Sequence, residues 1–373
     1  MVPERRGWLR SGLGVIGSAA DWLFGVASLV VGLSILATIP VVQLLSLGYL
    51  LEVSGRVARQ GSLRSGFVGV RRAARWGRVA LGVTLLLIPL WITSSLAFSA
   101  RLIDPASRAA RGWQMALWIL SVLVLLQIVG ACLRGAKLRH FLWPRPIKSV
   151  RLALAPGAYG RARDAAWEFC VRPRFPYYFW LGLRGFLGAL AWLVVPVSLL
   201  AVASRLRPGP GTIAGLLGGA LLALVVVYLP FFETRFAEQN RLGAMFEPRV
   251  QRRLFARAPL AFFVALAATL VLAVPLYLLK IEILPREATW LPSLLFVVSI
   301  FPARLLTGWA VARANRHPAP RHPLVRWPIR LALVPLLLTY VLIVYFTQYL
   351  SWYGVWSLYE QHAFLVPAPF WGF

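Results

Sequence analysis

The chain has 373 residues, 59% of them hydrophobic and only 14% charged, with a mean hydropathy of +0.71. That balance excludes a water-soluble globular protein, which at this length needs far more polar surface. Lys and Arg number 40 against 12 Asp and Glu, a net charge of +28. Because these cations lie between apolar blocks, they read as helix-orienting charges that meet anionic lipid head groups, and not as a nucleic-acid surface.

The N-terminal segment 1–21 carries Arg5, Arg6 and Arg10 ahead of "SGLGVIGSAA", a thin apolar core that disfavours a cleaved signal peptide without excluding one. Eight apolar blocks follow, at 22–39, 79–99, 115–133, 181–203, 212–232, 260–279, 289–310 and 329–350. Each is long enough as helix to cross a hydrocarbon layer of roughly 30 Å. The predicted fold is therefore all-α, a polytopic transmembrane helix bundle. Its first half spans 22–203 and includes the long basic loop 134–178; its second half spans 204–350, and an aromatic interfacial tail covers 351–373. Pro89, Pro196, Pro275 and Pro335 fall inside spans, where neighbouring helices accommodate the kink.

Alternate loops orient the bundle. Those after spans one, three, five and seven hold 7, 10, 6 and 4 Lys and Arg, 27 in all, against 10 on the other side. The positive-inside rule puts loops 52–78, 134–178, 233–259 and 313–328 in the cytoplasm of a bacterial inner membrane. Eight spans then leave both termini outside. The stretch "LVVGLSILATIPVVQLLSLGYLLEV" runs apolar past Pro40 and reads as one kinked span or as a re-entrant hairpin. Re-entry would keep the N-terminus cytoplasmic.

An internal similarity runs through the basic turns. Ala58, Gln60, Leu63 and Phe67 of "VARQGSLRSGF" correspond to Ala237, Gln239, Leu242 and Phe246 of "FAEQNRLGAMF", each 179 residues later. A looser echo links "RHFLWPRPI" at Arg139 with "RHPLVRWPI" at Arg321. Two parallel four-helix repeats, as in some transporters, would produce this pattern; so would chance in a biased composition.

The segments "IPVVQLLSLGYLLEVSGRVARQG" and "TRFAEQNRLGAMFEPRVQRRLFARAPLAFFVALAATL" resemble the two hallmark segments of a bacterial and archaeal family of multi-pass membrane proteins of unknown function. Spans seven and eight and the loop before span four lie outside the resemblance, which supplies no catalytic residues.

Three of the twelve acids, Glu233, Glu238 and Glu247, crowd into "FFETRFAEQNRLGAMFEP". Phe232, Phe236, Leu242 and Phe246 share a broad apolar arc there, which predicts a helix lying on the cytoplasmic surface. Arg235–Glu238 and Glu238–Arg241 have the spacing of helical ion pairs. The acids then neutralise a basic surface and pin the elbow between spans five and six, with Glu52 in the same role in the first half.

Ionisable groups at membrane depth are functional candidates by default. Arg184 lies near the start of span four, where it can snorkel to the surface. Arg304 lies deeper in span seven and suits either a salt bridge or bidentate capture of a phosphate or carboxylate. External candidates are Lys280 and Glu282 in the hairpin between spans six and seven, and Glu360 with His362 in the tail. The glycines at 182, 185 and 188 and at 215, 218 and 219 predict close packing of spans four and five. Cys132 and Cys170 form no disulfide framework, and the four histidines, at 140, 317, 322 and 362, are too scattered for a metal cluster, so no cofactor or metal is expected.

These features favour a non-enzymatic assembly, scaffold or envelope-organising component whose partners are the lipid bilayer and other membrane proteins. A transporter for a small anionic solute is the alternative. A lipid-modifying enzyme comes third, and would require His140, His322, Glu233 and Glu238 to converge.

Overall fold

The computed structural model describes residues 5–157, 159–160, 163–164, 167, 174–278, 290–351 and 354–359. Among these, all regular structure is helical: α1 Arg5–Thr38, α2 Gln43–Gln60, α3 Val70–Ile103, α4 Arg108–Leu133, α5 Leu138–Leu142, α6 Pro146–Leu154, α7 Phe175–Ala203, α8 Pro210–Gln239, α9 Pro248–Arg257, α10 Pro259–Leu278, α11 Trp290–Arg316 and α12 Pro323–Leu350. Eight are long and apolar enough to cross a membrane: residues 17–38 of α1, and α3, α4, α7, α8, α10, α11 and α12. They coincide with the eight blocks expected from hydropathy. The protein is a multi-pass, all-α membrane protein.

The chain divides into two compact units that interleave in sequence, one formed by 1–29 and 69–173, the other by 30–68 and 174–373. This grouping cuts across the division at residue 203.

In the first unit α3 packs on α4, and the short α5 closes a corner against both. Gly82 of α3 makes room for the Phe141 ring, which is 1% exposed. Gln127 donates to the carbonyls of His140 and Phe141, and Arg134 to those of His140 and Trp143, so the turn after α4 is held by side chains. Trp91, Met115 and Trp118 point outward from α3 and α4, as lipid-facing residues do.

The second unit is built around α2, the least apolar of its long helices. Fourteen of its 18 residues are buried, enclosed by α7, α8 and α11. Each neighbour approaches at a glycine. A Cβ on Gly48 would collide with the Tyr178 carbonyl of α7, and one on Gly182 of α7 with the Leu44 carbonyl. Gly55 abuts Ala237 of α8, and Gly308 of α11 abuts Ser54. Small residues let helices meet backbone to backbone, which is how bundles gain contact when lipid is as apolar as the side chains. Around this centre α10 and α12 add an outer layer, joined to the rest by the Phe231–Phe262 ring contact and to each other by the Tyr277–Tyr340 hydroxyl pair.

Several expectations need correction. The apolar stretch across Pro40 is not one kinked helix: α1 ends at Thr38, Val41 adopts φ 68°, and α2 starts at Gln43. Ser46 donates to the Leu33 carbonyl across this turn, so the chain doubles back on entering α2. Phe231–Glu247 is not a surface helix either. Helix α8 runs through Pro230 to Gln239, and Phe231 through Ala237 are buried because α2 and α11 cover them. Spans four and five do pack closely, as expected: Gly218 of α8 sits against Leu199 and Leu200 of α7, and Gly185 lies near the Phe236 ring, while Gly182 and Gly188 serve α2 and the 242–246 turn.

The two basic turns share a local shape. Helix α2 ends at Gln60, Gly61 takes a left-handed conformation (φ 69°), and a 3₁₀ turn covers Leu63–Gly66. Helix α8 ends at Gln239, Asn240 is left-handed (φ 52°), and a 3₁₀ turn covers Leu242–Phe246. Gly and Asn are the residues that reach this conformation at least cost.

Candidate functional site

In the second unit, contacts bring the C-terminal ends of α2, α8 and α11 together at one pole. Arg59 on the last turn of α2 donates to the Ala237 and Glu238 carbonyls at the end of α8, at 2.7 and 2.9 Å. Arg316 on the last turn of α11 donates to the Gly61 carbonyl just past α2, at 2.8 Å. Arg184, near the start of α7, reaches Asn240 Oδ1 at 2.5 Å and lies over the Trp180 and Phe236 rings. Helix C-termini carry unpaired carbonyls and negative partial charge, so arginines are the natural caps. Three of the basic residues at this pole are thus engaged in joining helix ends.

The acids at the pole are also paired. Glu52 accepts from Arg59 at 2.8 Å, Arg56 at 3.3 Å and the Tyr177 hydroxyl at 2.8 Å. Glu247 takes Arg235 at 3.1 Å and Arg241 on its other oxygen. Glu238 accepts from Asn315 at 3.0 Å. The expected helical pairs of Glu238 with Arg235 and Arg241 do not form; both arginines turn to Glu247, because the chain leaves the helix at Asn240 and the 3₁₀ turn swings Glu247 back.

Deeper in the bundle, among the described residues, lies one fully buried ion pair. Arg304 Nη1 donates to Glu233 Oε2 at 2.6 Å, with the side chains 3% and 0% exposed. The Thr234 hydroxyl donates to Thr307 Oγ1 at 3.1 Å alongside it. Glu233 is therefore not a surface acid. It is the partner of Arg304, 71 residues away, because α8 and α11 lie side by side here. Three atoms of the pair have no hydrogen-bond partner among the described residues: Arg304 Nε, Arg304 Nη2 and Glu233 Oε1. Nε and Nη2 form the lateral edge of the guanidinium, which is the edge that grips an oxyanion with two parallel N–H groups. The groove between α10 and α12, about 320 Å³ and lined by residues such as Tyr277, Thr339 and Phe346, does not include either member of the pair.

The residues needed for a lipid-modifying site are otherwise occupied. His322 accepts from the Leu324 amide and caps α12, Glu233 and Glu238 are paired as described, and His140 belongs to the other unit. Burial and then the cations Arg134, Arg139, Lys137 and Lys148 hold the His140 imidazole below its ordinary range. Lys280, Glu282, Glu360, His362 and Cys170 lie outside the described residues. The pairing of Glu233 with Arg304 was not read from the sequence. The one signal was that each is a charge inside an apolar block, and such charges seek one another.

Comparison with known protein families, curated proteins and solved structures returns no match.

Proposed function

We propose that the protein is a non-enzymatic component of the bacterial inner membrane that organises other membrane proteins around a rigid helical core. One observation carries this reading: the charged groups of the core are engaged with one another. Glu52, Glu238 and Glu247 each have partners at the pole, and arginines join helix ends, so no acid–base pair is left poised for chemistry. Extraction of the tagged chain from its own membranes in a mild detergent should yield a defined assembly containing a second membrane protein. A monodisperse single chain, with no partner after crosslinking, would count against the proposal.

The same reading assigns a topology. The pole bearing Gly61, Asn240 and Arg316 faces the cytoplasm, and the turn at 39–42 doubles the chain back between the end of α1 and α2. Helix α2, sheltered from lipid by its neighbours, then makes a further crossing. A cysteine placed at Ser62 or Gly243 in a background lacking native cysteines should react in inverted vesicles but not in intact cells.

A second reading, transport of a small anion, has its own support in the unpaired lateral edge of Arg304. Uptake of a carboxylate or phosphate by proteoliposomes, lost in Arg304→Lys, would favour it over the scaffold.

A further inference from the structure

The corner that follows α4 carries a feature the bundle core does not use. Helix α6 packs on α4 through Ser149, which meets Gly130 one turn before α4 ends. The opposite face of α6 is open: Ile147, Val150 and Leu154 are 72%, 55% and 80% exposed, and Trp143 precedes them at 69%. Positions 147, 150 and 154 share one helical face. Because α6 sits beside the last turn of a membrane span, that face lies at the edge of the hydrocarbon layer.

Arg145, Lys148 and Arg151 flank the apolar face, three residues apart, and with Pro146, Ile147 and Leu152 they line a groove of about 610 Å³. All three cations are exposed. No acid occurs between Asp104 and Asp164 in the sequence, and among the described residues none of the three cations forms an ion pair. At the pole of the second unit the arrangement is the reverse, with Glu52 and Glu247 each taking two arginines.

We propose that this groove on α6 binds an anionic phospholipid of the adjoining leaflet, its phosphate held by Arg145, Lys148 and Arg151 and an acyl chain lying on Ile147, Val150 and Leu154. Each half of the ligand matches a half of the site. Exposed apolar side chains at this depth need a hydrocarbon cover, and a cluster of unneutralised cations at head-group level needs an anion. A soluble anion would satisfy the second requirement but not the first. The inference depends only on the chain being a membrane protein, and stands whether the core scaffolds or transports.

The test uses the full chain in nanodiscs of phosphatidylcholine, with and without phosphatidylglycerol, and counts lipids retained after release into detergent by native mass spectrometry. Each cation near an anionic surface changes affinity about fivefold, so Arg145→Gln/Lys148→Gln/Arg151→Gln should weaken phosphatidylglycerol retention about 100-fold. The charge-preserving Arg145→Lys/Arg151→Lys should retain it, and Arg249→Gln/Arg252→Gln/Arg253→Gln on α9, which removes the same charge elsewhere, should leave it nearly unchanged. Equal retention of the two lipids, equal loss from the α6 and α9 variants, or displacement of the lipid by millimolar inorganic phosphate would each overturn the proposal.

Discussion

Breaking the Glu233–Arg304 pair gives the sharpest test of how the core is held. Both side chains are removed from solvent, and among the described residues their 2.6 Å contact is the only hydrogen bond that either charged group makes. Glu233→Gln leaves a guanidinium buried without a counter-charge, and Arg304→Met leaves a carboxylate in the same position. Removing one member of a buried pair costs about 3–5 kcal/mol, whereas replacing both with apolar residues of similar volume is often neutral or stabilising. Each single variant should therefore lose about 3–5 kcal/mol and Glu233→Leu/Arg304→Met should recover most of it. Reversible unfolding in mixed micelles, followed by tryptophan fluorescence, measures all three against the parent chain. Single variants within about 1 kcal/mol of the parent would mean that the pair is hydrated and works like a surface salt bridge. A double variant as unstable as the two losses combined would mean that the residues act separately. Either result refutes the argument from burial.

Gly48→Ala should destabilise by about 1–3 kcal/mol or more, because its Cβ meets the α7 backbone rather than a movable side chain. Gly243→Ala, with open space around it, should cost little in the same unfolding assay. Gly61→Ala should cost about 1–2 kcal/mol from its left-handed backbone, and it also crowds the Arg316 guanidinium; hydrogen exchange at the end of α2 should rise. Tyr177→Phe removes a hydrogen bond to a charged carboxylate and should cost about 1.5–3 kcal/mol at most, less for its partial exposure, as read from the thermal midpoint in detergent. The His140 imidazole should stay neutral until the pH falls below its ordinary value of about 6.5. Since the folded state disfavours its protonation, the α4–α5 corner is firm above that value and loosens as pH drops through it, which amide exchange over 134–142 would detect.

Hydropathy made the eight long helices legible because each is an apolar block of bilayer length as helix, where a barrel strand would need only about ten residues of alternating polarity. Helix α2 was harder to read for a related reason. It is surrounded by protein, so it carries Gln43, Ser46, Glu52 and Ser54 among its buried residues and lacks the composition of a lipid-facing span. Its glycines were the better guide, but spacing alone does not reveal which helix a glycine meets: Gly182 and Gly188 looked like a seam for span five and proved to serve α2 and Met245. The turn similarity between Ala58–Phe67 and Ala237–Phe246 was visible, and its physical basis is a left-handed residue, Gly61 or Asn240, two residues before the first residue of a 3₁₀ segment.

The charges divide along the same line. Arg304 announced itself as a cation inside an apolar block, but its partner did not, because Glu233 sits among residues that also read as a surface elbow. What distinguishes the two settings is whether α8 stops at Pro230. Proline in a water-exposed helix leaves a carbonyl unpaired and ends the helix at a cost of about 3 kcal/mol or more. Within a bundle, close neighbours absorb that cost, so α8 continues for nine residues beyond Pro230 and carries Glu233 into contact with α11. The buried pair is thus a consequence of the membrane setting: in water the helix would break at Pro230, ahead of Glu233, and Arg304 would lose its partner.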